Sequence, residues 1–217
     1  SITGALTNSS NAPVTVTFTV TPKLSGCANG SNQITTVIVE PTPQASLNNT
    51  TSTICTGASV NIAVTTPTTA SVPANLRYNV AVSSDNPGAT SGAGFTALSN
   101  QTFPGTITGA ISNSSNSFIT VTYTVTPVIS GCVAGPDQVT TVRVEPSPVA
   151  AINNLTATVC NSGNVNLNIT SPSAPTTPGN LAFDVAVTST NPGATGGSAS
   201  FDLSNQTFPL LINGTLT

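Results

Sequence analysis

An all-β protein made of tandem sandwich repeats is what this 217-residue sequence predicts, on three observations. Long stretches return 105 positions later without insertion or deletion. Gly4-Ala-Leu-Thr-Asn-Ser-Ser-Asn11 comes back as Gly109-Ala-Ile-Ser-Asn-Ser-Ser-Asn116, Cys27 as Cys132, Glu40-Pro41 as Glu145-Pro146, Cys55 as Cys160, Asn86-Pro-Gly88 as Asn191-Pro-Gly193, and Phe103 as Phe208. Apolar residues alternate with threonine at a period of two, the pattern of half-buried strands. No segment of helical length carries a 3.6-residue apolar period bounded by caps. A repeat of this size matches the roughly 100 residues of a seven-stranded antiparallel sandwich.

Taken in order, Val14-Thr-Val16-Thr-Phe18-Thr-Val20 places four apolar side chains on one face of a strand. Pro22 to Asn32, rich in Gly, Ser and Asn, reads as a long hairpin loop holding Cys27, and Gln33 to Glu40 as the returning strand, with Val37 and Val39 inward. Glu40-Pro41-Thr42-Pro43 ends it, because proline cannot donate to a ladder. The expected units are therefore residues 1–41, the closing strands of one repeat; 42–146, a whole repeat; and 147–217, the opening strands of a third.

Within the whole repeat, Ala45 to Cys55 reads as a first, broken strand, and Thr56-Gly57 as a turn. Val60, Ile62 and Val64 line the second strand; Leu76, Tyr78, Val80 and Val82 line the third. Thr66 to Asn75 and the glycine-rich run from Gly88 to Gly94 read as surface loops. Phe103 to Ile111 is the next strand, and Asn113-Ser-Ser-Asn116 turns it into the strand of Ile119, Val121, Tyr123 and Val125. Val121, Tyr123 and Val125 with Val60, Ile62, Val80 and Val82 are the expected core.

Composition excludes several classes of function. Charged residues are only 4% of the chain: Lys23, Arg77 and Arg143 against Glu40, Asp85, Asp137, Glu145, Asp184 and Asp202, for a net charge of −3. Nucleic-acid binding needs a basic stripe, and three scattered cations do not make one. No apolar run approaches the ~18 residues of a spanning helix, so no membrane span is expected in this segment. With no histidine, neither a Ser-His-Asp nor a Cys-His constellation exists, and the scattered carboxylates form no acid/base pair. No enzyme, metal site or cofactor is expected. Asp85 beside Asn86 offers calcium oxygens, but its counterpart is Thr190, so the site would not repeat. Glu40 and Glu145 read as solvated linker residues, and Tyr78 and Tyr123 as core.

Thr-Ile-Cys-Thr-Gly57, the Gly109 to Pro127 stretch, Ser-Gly-Cys132 and Val-Glu-Pro-Ser-Pro148 together resemble the PKD-like, immunoglobulin-fold repeats of very large bacterial surface proteins. The resemblance covers the whole chain and implies an extracellular, cell-surface adhesin or filament. The chain departs from commoner members in having Tyr78 and Phe183 where a tryptophan stands in the third strand, and in lacking their acidic loop residues.

Four cysteines, Cys27, Cys55, Cys132 and Cys160, fit an exported, oxidised protein. Two pairings stand open. The resemblance implies a bond inside the domain, Cys55 to Cys132, because cysteines at both places occur together in the family. Strand geometry instead puts those two at opposite ends of a sandwich, so that the turn cysteine of one domain meets the hairpin cysteine of the next. Cys27 with Cys55 is rejected, since they lie at far ends of consecutive domains.

The expected role is structural: a stalk or fibre of sandwiches stacked end to end, extending roughly 35–40 Å per repeat. Its partners are neighbouring copies of the same repeat, joined as one long chain or by strand donation. Val14, Val16, Phe18 and Val20 are expected to pack on Val165 and Val185 of a neighbouring copy, beside Phe208 and Ile212. The alternative is an adhesin whose loops, Thr66 to Pro73 and Ser171 to Pro178, take a glycan or cell-surface ligand.

Overall fold

The computed structural model describes residues 1–191, 196–197 and 202–216, so most of the second Asn-Pro-Gly turn lies outside the described residues. It is all-β. In chain order, β1 (Val14–Val20) and β2 (Gln33–Val39) form an antiparallel hairpin. The middle repeat follows with β3 (Ser46–Asn49), β4 (Thr53–Cys55), β5 (Ser59–Thr65), β6 (Leu76–Ser84), β7 (Thr90–Ser91), β8 (Leu98–Thr102), β9 (Gly105–Ala110), β10 (Ser112–Asn113), β11 (Ile119–Ile129) and β12 (Gln138–Glu145). The last segment holds β13 (Ala151–Asn154), β14 (Asn164–Thr170), β15 (Ala182–Val185), β16 (Leu203–Thr207) and β17 (Leu210–Thr215).

The middle repeat is a two-layer sandwich. One sheet runs β4-β12-β11-β6-β8 and the other β3-β5-β9. Alternation places every second residue of β11 inward, and Ile119, Val121, Tyr123 and Val125 are all buried against Val60, Ile62 and Val64 of the opposite sheet. Val80, Val142 and Val144 complete the layer, and Val82 packs at its margin. Each such side chain contributes about 1.5–3 kcal/mol by leaving water, so this cluster dominates the stability of the unit. The hydroxyl of Tyr123 donates to the Gly94 carbonyl at 2.7 Å, which satisfies its one polar atom inside the core. Burial pushes the Tyr123 phenol up to about 12 and raises that of Tyr78 as well.

Three details depart from the expectation. The broken first strand is two strands in different sheets: β3 pairs antiparallel with β5, whereas β4 crosses over to pair parallel with β12. An extra edge strand, β8, pairs with β6; its sequence Leu-Ser-Asn-Gln-Thr has no alternation to announce it. The run from Gly88 to Gly94 is ordered rather than a loose surface loop. It forms two 3₁₀ turns around β7, and Gly94 is buried so close to Gly109 that a Cβ on it would lie 2.5 Å from the Gly109 carbonyl oxygen. Only glycine permits that approach.

The flanking segments reproduce parts of this unit in register. Val14 opposite Val39 and Val20 opposite Gln33 repeat Ile119 opposite Val144 and Val125 opposite Gln138. Val165 opposite Gly214 repeats Val60 opposite Gly109, and the irregularity between Phe183 and Val185 repeats that between Tyr78 and Val80. Hence residues 4–40 carry the counterparts of β11 and β12, and residues 148–216 those of β3, β5, β6, β8 and β9.

Candidate functional site

Among the described residues there is no cluster of three or more His, Cys, Asp or Glu side chains. The carboxylates that drew notice are occupied by backbone: Asp85 accepts from the Thr120 N–H at 2.9 Å, and Asp184 from the Asn205 N–H at 2.7 Å, where Asn79 does the same for Asn100. No helix of the described residues is long and apolar enough to cross a membrane.

The recurring polar chemistry lies instead where one repeat meets the next. Glu40, expected as a solvated linker residue, accepts from the Ser71 N–H at 3.1 Å with one carboxylate oxygen and also from the Ser71 hydroxyl. Glu145 accepts from the Thr176 N–H at 2.9 Å. Beside these, the Asn11 carbonyl accepts from Thr69 N–H at 2.8 Å, and the Asn116 carbonyl from Ala174 N–H at 2.7 Å. Ser71 and Thr69 stand 105 positions before Thr176 and Ala174, so both junctions are held by one pattern. The two loops proposed for ligand recognition, Thr66 to Pro73 and Ser171 to Pro178, are the loops that make these bonds. Two backbone N–H groups of each loop, those of Thr69 and Ser71 and those of Ala174 and Thr176, are used by the preceding repeat. The recurrence of Glu before Pro was the available signal, and its partner was invisible because it lies thirty-one positions downstream.

An asparagine, buried at Asn113 and half-buried at Asn8, braces the same end of the first two units. Asn113 donates to the Ser117 carbonyl at 2.8 Å and the Val144 carbonyl at 3.0 Å, and accepts from Ser115. Asn8 donates to the Ala12 and Val39 carbonyls at 2.8 Å each and accepts from Ser10. The Asn-Ser-Ser-Asn turn therefore closes the downstream end of the sandwich, next to the junction.

All four cysteines are free and exposed. Cys55 lies opposite Glu145 at the downstream end of the middle repeat, and Cys132 lies beyond Ile129 at the upstream end. The eleven residues of β11 between those ends span about 34 Å, far beyond the ~7 Å that a disulfide bridges between Cα atoms. The intradomain pairing implied by the resemblance is thus ruled out by the length of β11.

The residues expected to pack between units stand with one side open. Val14 and Val20 are exposed, and Val16 and Phe18 half-buried. Val165, Val185 and Ile212 line an apolar cavity of about 140 Å³ together with Val187 and Leu203. Phe208 lies elsewhere, stacked on Phe183 at 4.4 Å and lining a second cavity of about 690 Å³ with Leu181 and Pro175.

Residues 52–148 match the family model of the PKD-like domain. A search of curated proteins finds no match. Among solved structures, a similar one is that of FdeC, an Escherichia coli adhesin, at 13% identity and a TM-score of 0.42, with 94% of this chain and 65% of that chain covered. The chain thus spans less than two thirds of the length of that adhesin.

Proposed function

We propose that this chain, whose residues 52–148 match the PKD-like domain, is a structural segment of an extracellular bacterial surface fibre or stalk, assembled end to end as one long chain or by strand complementation. The observation that carries the reading is the junction. Each interface uses a carboxylate on a backbone N–H and an asparagine carbonyl on a second, at positions related by the repeat. A junction built twice in the same way propagates one rotation from unit to unit and so generates a straight or helical thread. Pro41 and Pro146 are buried in these linkers, and proline removes both a donor that would need a partner and the freedom to bend. A tensile element of this kind needs no cofactor and no reaction.

Electron microscopy of native material tests the reading. Threads with a bead every ~35–40 Å are expected, that spacing being the strand length plus the linker; isolated globules would exclude a fibre. An adhesive role would use the parts of the two junction loops left open beside the engaged N–H groups, where Thr68 and Ala70, and Ser173 and Pro175, line cavities.

A further inference from the structure

We propose that the cavity between the junction loop and the Phe-Pro corner of each repeat is a binding site for one neutral pyranose ring, so that a thread presents one weak sugar site per repeat. This rests on the adhesive use of the junction loops given above, not on end-to-end assembly, and it names the ligand class and the residues. In the middle repeat the cavity, of about 430 Å³, lies between the loop Thr66 to Pro73 and the corner at Phe103-Pro104 where β8 turns into β9. Sites for small ligands occupy about 300–1,000 Å³.

The cavity belongs to the repeat. Its counterpart, of about 690 Å³, is lined by equivalent positions 105 residues on. In the middle repeat both sheets are in place and Ile129 packs with Leu76 and Ala70 at this end, yet the cavity stays open. At the counterpart a whole repeat stands in front, and none of its residues lines the opening. Neither a complete repeat around the cavity nor a complete repeat before it closes it.

The lining is of two kinds. Thr65, Thr66 and Thr68 supply hydroxyls, and Leu76, Phe103 and Pro104 supply apolar surface. In the counterpart Thr170, Ser171 and Ser173 keep the hydroxyls, while Leu181, Phe208 and Pro209 are the same residues again. Around them the loops diverge: Thr69 answers to Ala174 and Ala70 to Pro175. Each half-buried aromatic ring is braced by another, Phe103 by Tyr78 at 4.8 Å and Phe208 by Phe183 at 4.4 Å.

The hydroxyls are set by the loop's own bonds. Thr66 donates to the Gln44 carbonyl at 2.6 Å and accepts from the Thr68 N–H at 3.0 Å; Ser171 donates to the Val149 carbonyl and accepts from the Ser173 N–H at 3.0 Å. With the Thr69 and Ser71 N–H groups engaged as well, the loop is ordered before a ligand arrives, which lowers the entropic cost of binding. Thr68 is 3% exposed; its oxygen accepts from the Gln44 N–H at 2.9 Å, and its proton has no acceptor among the described residues. A buried hydroxyl in that state calls for an acceptor oxygen. Ser173 accepts the equivalent bond from the Val149 N–H at 2.9 Å and spends its proton on the Ser147 carbonyl at 3.3 Å, a long bond.

The ligand class follows from this chemistry. Among the described residues no ionisable side chain lines either cavity. Arg77, beside Leu76, has Ala182 as its counterpart, and Glu40 and Glu145 reach the loops from the preceding repeats, where they oppose an anion. A ligand common to both sites is uncharged. It lays an apolar face on phenylalanine and proline and turns oxygens to the hydroxyls; a pyranose ring, with C–H bonds on its faces and hydroxyls at its rim, does both. A purely apolar ligand would leave the Thr68 proton unmet. One ring in an open cavity binds at millimolar strength, and repetition along a thread raises this by avidity.

Heteronuclear NMR of the isotope-labelled 217-residue chain, titrated with the methyl glycosides of glucose, galactose, mannose and N-acetylglucosamine, tests the site. At least one glycoside should shift the amides of Thr68 and Leu76, and of Ser173 and Leu181, saturating in the millimolar range. Glucuronate and cyclohexanol should bind at least about tenfold more weakly. Thr65→Val, which removes one lining hydroxyl from a strand position, should weaken binding at the first cavity about two- to tenfold. Thr69→Trp, at an exposed rim position, should abolish it there while the second cavity and the melting transition stay unchanged. No shift with any glycoside, shifts confined to other residues, equal binding of glucuronate or cyclohexanol, or unchanged binding by the folded Thr69→Trp chain would overturn the site. Electron micrographs decide the stalk separately: threads of a chain that binds no sugar leave the stalk reading standing and remove only this site.

Discussion

β11 and β1 have almost the same sequence pattern and the same hairpin partner register, yet opposite fates. Val121, Tyr123 and Val125 are fully buried, while their counterparts run from half-buried Phe18 to Val20 at 52% exposure. Alternation gives a strand a face that can be buried, but burial requires an opposing sheet. Among the described residues, only the middle repeat has both layers. The contrast shows that alternation alone does not bury a strand; in the middle repeat the opposing sheet does.

The sharpest way to break the comparison is to truncate equivalent aromatic residues. Tyr123→Ala should cost the middle repeat about 3–5 kcal/mol, through the cavity left and the lost hydrogen bond. Phe18→Ala should cost the middle repeat less than about 1 kcal/mol, since Phe18 lies outside the core cluster of that repeat. Chemical denaturation followed by near-ultraviolet circular dichroism reads both, and equal costs would mean that β1 is buried after all.

Alkaline pH separates the units next. Tyr78 and Tyr123, the only two tyrosines, are both in the middle repeat. The folded-state value of Tyr123 lies above its ordinary 10.0, at about 12, so the native state holds the proton longer than the unfolded chain. Its contribution is complete below pH 10, and stability should fall by about 2–3 kcal/mol as pH rises from 10 to about 12. Tyr123→Phe should flatten that fall and leave the Gly94 carbonyl without its donor, at a cost of about 1–2 kcal/mol at neutral pH. An alkaline midpoint that ignored this substitution would assign the loss elsewhere.

A smaller effect distinguishes junction from core. Glu145→Ala removes the carboxylate acceptor of the Thr176 N–H and should cost about 1 kcal/mol, while small-angle scattering should show a shorter, more variable chain. Glu40→Ala should do the same at the first junction. A rigid profile in both variants would mean that the prolines alone set the angle. Smallest of all is salt. With 4% charged residues and carboxylates that bind backbone N–H groups, the melting temperature should move by no more than about 2 °C between low and physiological ionic strength.

Sequence by itself determined the repeat length, the strand faces and the core, because a period of two along a strand is written in local order and an offset of 105 needs only comparison of the chain with itself. Val60, Ile62, Val80, Val121, Tyr123 and Val125 all lie buried where alternation put them. Tertiary structure alone decided the rest. That β4 leaves the sheet of β3, that the glycine-rich run packs on Gly109, and that Glu40 and Glu145 reach Ser71 and Thr176 are contacts between residues remote in sequence. Such contacts depend on where two layers and two units come to rest, and no local period of the chain encodes that position.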